Sequence, residues 1–238
     1  MCAEVRFTKE NLDTCLKRLA KEFRKMNGSG MEAEIILIGG AAVLAKYGFR
    51  EVTYDVDALV RASSAIKDAI NRVGDELNLP NGWLNSDFRH TKSYSPKLAE
   101  HSQYYRTFSN IVKIRIVTGP YLVAMKLMSG RRYKNDISDI VGILKEEKEK
   151  GTPITMEQID KAVCDLYENW DQIPENSRAV LADIMESGDY DAAYKKYRLF
   201  EAETKSDLLE FEENYPDVLR EDNVDDIIAA FRRKRNQT

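Results

Sequence analysis

Residues 35–60 limit the possible folds more than any other stretch. Ile35-Ile-Leu-Ile38 is an unbroken apolar run, Gly39-Gly40 follows, and after a short small-residue segment comes Arg50-Glu-Val-Thr-Tyr-Asp55-Val-Asp57-Ala-Leu-Val60. An apolar run of this length closed by a turn reads as a strand covered on both faces. Ala41–Lys46 then reads as a short helix and Thr53–Val60 as a second strand. Alternate strand residues share a face, so Thr53, Asp55 and Asp57 project one way while Tyr54, Val56 and Ala58 project the other. Two carboxylates are thereby held side by side. At roughly 6.6 Å along a strand, and with an effective dielectric near 20, they repel by about 2.5 kcal/mol.

A divalent cation relieves that repulsion. Oxygen-only donors beside a glycine turn favour Mg²⁺ or Mn²⁺ held by Asp55 and Asp57 and carrying a substrate's phosphates. The backbone N–H groups of Gly39 and Gly40, at the next helix's N-terminus, are suited to cradle those phosphates. Arg50, in the turn before the aspartate strand, reads either as a phosphate contact or as a surface arginine.

Three cysteines in 238 residues, Cys2, Cys15 and Cys164, are too scattered for zinc spacing or a disulfide framework. No early apolar run has the form of a signal peptide, and no run approaches a membrane span. A soluble, cytoplasmic protein is expected. The net charge of −4 hides a division: residues 1–150 carry 25 Lys+Arg against 19 Asp+Glu, and residues 151–238 carry 11 against 21. The positive half is the half with the aspartate strand, as attraction of an anionic nucleotide requires, although two differently charged solvated surfaces would look the same.

Along the chain, Leu12, Cys15, Leu16, Leu19 and Phe23 have the spacing of an amphipathic helix over residues 8–26. Ser63-Ser64 predicts an N-cap for a helix reaching Leu79. Residues 88–103 look like a long loop holding His90 and His101. Tyr104–Phe108 and Asn110–Val117 read as strands. Gly119-Pro120 opens a buried helix in which Lys126 is the only charge, so that side chain needs an anionic partner or a phosphate. Asp136 opens the following helix, with Asp139 on the same face; both have the alternative of serving only as helix-terminal charges. Gly151-Thr-Pro153 marks the expected domain boundary, and everything after Thr155 reads helical.

The spacing Gly39-Gly40, fourteen residues, Asp55-Val-Asp57 resembles the signature of the polymerase-β-like nucleotidyltransferase superfamily, whose members set a Gly-Gly or Gly-Ser turn before an Asp-x-Asp strand. A second block, from Tyr121 through Lys126 and Arg131-Arg132-Tyr-Lys134 to Asp136 and Asp139, resembles the minimal nucleotidyltransferase branch related to abortive-infection (type IV toxin-antitoxin) toxins. Trp83-Leu-Asn-Ser-Asp87 is a shorter likeness to the same branch. The resemblance implies an α/β (α+β) domain over residues 1–150, with a small mixed sheet flanked by helices, and an all-helical C-terminal domain over 151–238. It implies transfer of a nucleoside monophosphate from NTP to an acceptor hydroxyl on tRNA or protein, with an antitoxin as partner.

In that chemistry Asp55 and Asp57 bind metal. Gly39, Gly40, Arg50, Thr53 and Lys126 bind nucleotide. Asp136 or Asp139 activates the acceptor hydroxyl. The strand at 110–117 carries Lys113 and Arg115 where many relatives supply a third acid, which keeps two alternatives open: an aminoglycoside-type small-molecule transferase, and a degenerate relative that binds nucleotide or a partner without turnover.

Overall fold

The computed structural model describes residues 5–28, 30–131, 133–220 and 223–235. Thr8 and Asn11 form a reciprocal capping box that starts helix α1 (Lys9–Asn27), whose buried stripe is Leu12, Cys15, Leu16, Leu19 and Phe23. The apolar run becomes strand β1 (Ala33–Leu37), followed by helix α2 (Gly39–Lys46) and strand β2 (Val56–Arg61). Helix α3 (Ala65–Leu77) ends two residues before the predicted Leu79. Asn78 adopts the left-handed conformation there, and the Leu79 N–H turns back to Gly74 O at 2.8 Å. Ser64 precedes α3 without capping it through its side chain.

The segment expected to be a loop is largely ordered. Strand β3 (Leu84–Asn85) leads into 3-10 turns at Asp87–His90 and Pro96–Ala99, and strand β4 (Ser102–Phe108) begins inside the same stretch. Buried Phe88, Leu98 and Ala99 hold it down, and the Tyr167 hydroxyl donates to Ser93 O at 2.7 Å. Ser109 and Asn110, both at positive φ, turn the chain into strand β5 (Val112–Val117), which therefore starts later than its hydrophobic pattern alone predicts.

The strand order is β3-β2-β1-β5-β4. β1 is central, antiparallel to β2 and parallel to β5, and its unbroken apolar sequence matches a strand covered on both faces. Helix α4 (Gly119–Ser129) is buried nearly all round, and helix α5 (Asp136–Glu149) packs beside it. Helices α6 (Met156–Tyr167), α7 (Glu175–Ser187), α8 (Tyr190–Asn214) and α9 (Val224–Arg235) make the C-terminal part helical. α6 packs on α4 and α8 on α5, and one hydrophobic cluster runs from Phe7 through Ile159 and Leu181 to Tyr197. The architecture is the mixed α/β sheet with a helical C-terminal part expected from sequence. No helix among the described residues is long and apolar enough to cross a membrane.

Candidate active site

Sheet register places the aspartates against the glycine turn. Leu37 pairs with Ala58, and one residue further the Ile38 N–H donates to Asp57 O at 3.1 Å. Asp57 thus stands beside the point where β1 gives way to α2. Gly39 has φ +54, and a Cβ there would lie 3.3 Å from Asp57 Oδ2. At Gly40 a Cβ would lie 2.6 Å from Thr53 Oγ1 and 2.9 Å from Arg50 Nη2. Both positions need glycine, the first for conformation and the second for space. The first N–H groups of α2 have no intrahelical acceptor, and they sit on a cavity of about 390 Å³ lined by Gly39, Gly40, Arg50, Asp55, Asp57 and Lys126 among others.

Thr53 is almost wholly buried and is fixed by a backbone bridge to Phe7. Its hydroxyl donates to Asp55 Oδ1 at 3.4 Å. Regular strand begins only at Val56, so Asp55 lies just ahead of β2 and is more exposed than Asp57. Burial, and then the Asp55 carboxylate, push the Asp57 pKa up to about 6; Arg131 and Lys134 oppose the shift and Asp87 adds to it. Partial desolvation and the neighbouring carboxylate thus both disfavour the charged form of Asp57. Two adjacent carboxylates with oxygen donors only are suited to a hard divalent cation. Among the described residues no group of three or more His, Cys, Asp or Glu side chains is arranged to hold a metal.

The same cavity is also lined by cations. Lys126 is only 6% exposed, and its Nζ lies 2.8 Å from Asp136 Oδ1 and 2.7 Å from Asp139 Oδ2. Burial alone would lower its pKa, but the two carboxylates outweigh burial and hold the ammonium charged. Arg131 Nε donates to Asp136 Oδ2 at 2.9 Å. Arg50 pairs with the same Asp139 oxygen, Oδ2, that Lys126 meets, and donates from Nε to Val52 O at 3.1 Å. Three cations are therefore organised by two buried carboxylates. Asp136 lines the same cavity as Asp55 and Asp57, whereas Asp139 lies behind it. Although burial would raise the Asp136 pKa, Lys126 and Arg131 hold it far below the usual carboxylate range. A carboxylate so stabilised as an anion is a poor base. Asp136 and Asp139, from which the sequence suggested an activator of a hydroxyl, are each ion-paired with two of these cations.

Of the further lining residues, Asp87 and Lys134 belong to blocks singled out in the sequence, whereas Thr91 and Ser93 carry no signal there. Asp87, His90, Thr91 and Ser93 come from the ordered 87–100 segment, and the Asp87 N–H is held by Asn85 Oδ1 at 2.8 Å. Lys134 is exposed over much of its length, but burial of its ammonium end in the pocket, and then the Arg131 charge, lower its pKa. Its position in a charged cluster was visible in the sequence, but its distance from Asp55 and Asp57 was not. On β5, Arg115 bonds Ser102 and reaches Glu34 at 3.8 Å. Arg132 and Cys2 lie outside the described residues.

Residues 14–205, from within α1 to Lys205 of α8, match the model of a family described as a nucleotidyltransferase of unknown function (DUF6036). No curated protein and no solved structure matches the chain.

Proposed function

The chain belongs to this family of nucleotidyltransferases of unknown function, and we propose that it transfers a nucleoside monophosphate from NTP to an acceptor hydroxyl, releasing pyrophosphate. The observation that carries this reading is one cavity lined by both kinds of charge: Asp55 and Asp57 beside the Gly39-Gly40 turn, together with the cations Arg50, Lys126 and Arg131. A triphosphate needs both, since its own charge is offset by fixed cations and by a metal shared with protein carboxylates.

In the proposed complex Asp55 and Asp57 would hold Mg²⁺ or Mn²⁺. When bound, such an ion supplies Lewis-acid polarisation of a phosphoryl oxygen and lowers the pKa of a coordinated hydroxyl. The donors at Gly39 and Gly40 receive the phosphates. Lys126 donates to Asp136 and is ion-paired with Asp139, and its ammonium would meet an anion in the cavity. Thr53 steadies Asp55, and Arg50 fixes the edge of the glycine turn. Asp136 and Asp139 act as positioning residues for the cations. The likeness to abortive-infection toxins supports tRNA or protein as acceptor and an antitoxin as partner; an aminoglycoside-type acceptor is the small-molecule alternative.

One observation favours a second reading, binding without turnover: Lys113 and Arg115 stand on β5, and Asp136 is engaged by two cations. Incubation with each α-labelled NTP, Mg²⁺ or Mn²⁺, total RNA and a mixture of aminoglycosides separates the readings. Labelled RNA or self-labelled protein supports transfer to a macromolecule, label in a small product supports the aminoglycoside-type reading, and nucleotide binding with no transfer supports the degenerate relative.

A further inference from the structure

Helix α8 lies far from the aspartates in sequence, yet one of its faces touches the segments that carry Arg50, Asp55 and Asp136. Tyr194, Arg198, Glu201 and Lys205 are spaced four, three and four apart, which puts them on a single stripe of the helix. The Tyr194 hydroxyl donates to Phe49 O at 3.3 Å, next to Arg50. Arg198 Nη1 donates to Asn135 Oδ1 at 3.0 Å, immediately before Asp136. The Lys205 ammonium stands 5.1 Å over the ring of Tyr54, between Thr53 and Asp55.

Glu201 is the centre of this stripe and is only 2% exposed. Its Oε1 accepts from the Ile137 N–H at 2.9 Å and the Ser138 N–H at 3.1 Å. Those are amides of the first turn of α5, which a helix cannot satisfy from within. Asn135, at the cap position, makes no side-chain cap bond to them. The cap is supplied instead by a carboxylate 63 or 64 residues away in sequence. Glu201 Oε2 and Ser138 Oγ are both buried without a hydrogen-bond partner among the described residues. A carboxylate kept in an apolar site at that cost points to a role beyond packing, because an apolar residue would avoid the desolvation.

We propose that Glu201 is a positioning residue: by capping α5 from α8 it fixes Asp136 and Asp139, and through them the Lys126 and Arg50 cations on the cavity wall. The consequence for nucleotide rests on the reading of the cavity as a nucleotide site; the positioning itself does not. Three readouts on the full chain test it, using Glu201→Ala, which removes the acceptor, and Glu201→Gln, which keeps an oxygen at the same reach. The first is amide hydrogen exchange across residues 136–139. The second is pulsed amine labelling of Lys126, with the exposed Lys17 and Lys67 as internal references. The third is the Kd for each NTP with Mn²⁺.

Glu201→Ala is expected to raise exchange of the Ile137 and Ser138 amides and labelling of Lys126 by at least tenfold, with the reference lysines within twofold. Glu201→Gln is expected to stay within threefold of wild type on both. Nucleotide Kd is expected to rise at least fivefold in Glu201→Ala only. Wild-type exchange and Lys126 labelling in Glu201→Ala would overturn the proposal, as would a rise in amide exchange across the whole chain, the mark of general destabilisation. Loosened α5 and Lys126 with unchanged nucleotide Kd would overturn the link to the cavity. A wild type that binds no nucleotide would sink the functional reading, and the first two readouts would still decide the role of Glu201.

Discussion

At the scale of single residues, the pocket is organised by charges that neutralise one another in unequal groups. Asp55 and Asp57 repel, so Asp55→Asn with Asp57→Asn should melt no lower than wild type in metal-free buffer at neutral pH. The same double variant should lose any thermal shift caused by NTP with Mg²⁺ or Mn²⁺, a shift that amounts to about 2.7 kcal/mol at a hundredfold excess over Kd. Severe unfolding of the variant would make the pair structural and end the metal assignment. Lys126 behaves oppositely. Its removal strands two carboxylates that are each about 98% buried, so Lys126→Met is expected to cost about 3 kcal/mol in urea unfolding. That is the low end of the range for breaking a buried pair, because Arg50 and Arg131 remain as partners. Combining it with Asp136→Asn should restore part of the loss, which a double-mutant cycle would read directly. A Lys126→Met variant as stable as wild type would show that the ion pairs carry no structural weight.

At the scale of elements, the β1–α2 turn and the α5–α8 contact determine how the pocket is set. Gly40→Ala places a methyl where Thr53 Oγ1 and Arg50 Nη2 now stand. The expected outcome is a stability loss of about 1–3 kcal/mol from overpacking, together with weaker nucleotide binding measured by titration calorimetry. Unchanged affinity would mean that the turn does not approach the phosphates.

Where α8 meets α5, burial raises the Glu201 pKa to about 7, against hydrogen bonds from α5 that lower it and with Asp139 adding to the rise. A carboxyl whose pKa is higher in the folded state binds more protons folded than unfolded between about 4.5 and 7. Its stability contribution is therefore fully present below about 4.5 and lost as pH rises through about 7, by up to roughly 3 kcal/mol. Asp57 acts in the same direction at slightly lower pH. Glu201→Gln should flatten the upper part of this slope in denaturant unfolding measured from pH 5 to 8. An identical slope in the variant would refute the assignment.

At the scale of the whole molecule, the N-terminal sheet and the C-terminal helices share one hydrophobic cluster, and α6 and α8 cover faces of α4 and α5. The Gly151–Pro153 boundary is a change of composition; whether it separates independent folding units is a question of cooperativity. We expect a single transition. Trp83, packed against Phe7 near β2, and Trp170, next to α6, report on the two halves. Trp83→Phe and Trp170→Phe variants, each leaving one fluorophore, should give coincident urea midpoints after correction for their own stabilities. Two separated midpoints would establish independent domains at that boundary.

Much was legible because it is written in adjacent residues. The 3.6-residue stripe of α1, the apolar run of β1, the glycine turn and the apolar surround of Lys126 are local patterns imposed by backbone geometry and burial, whereas the strand expected from Thr53 begins only at Val56. The family match agrees with the chemistry those patterns suggested. What no local pattern contains is the identity of partners distant along the chain. Lys126 visibly needed an anion, but only packing of α4 against α5 decided that Asp136 and Asp139 would be there. Residues 88–103 look like a loop because their buried contacts, Phe88, Leu98 and the Tyr167 hydroxyl on Ser93, depend on neighbours supplied by other elements. Glu201 reads as one more acid on a charged helix. It becomes the cap of α5 only when tertiary structure brings two unsatisfied amides to its carboxylate and removes the water that would otherwise have served them.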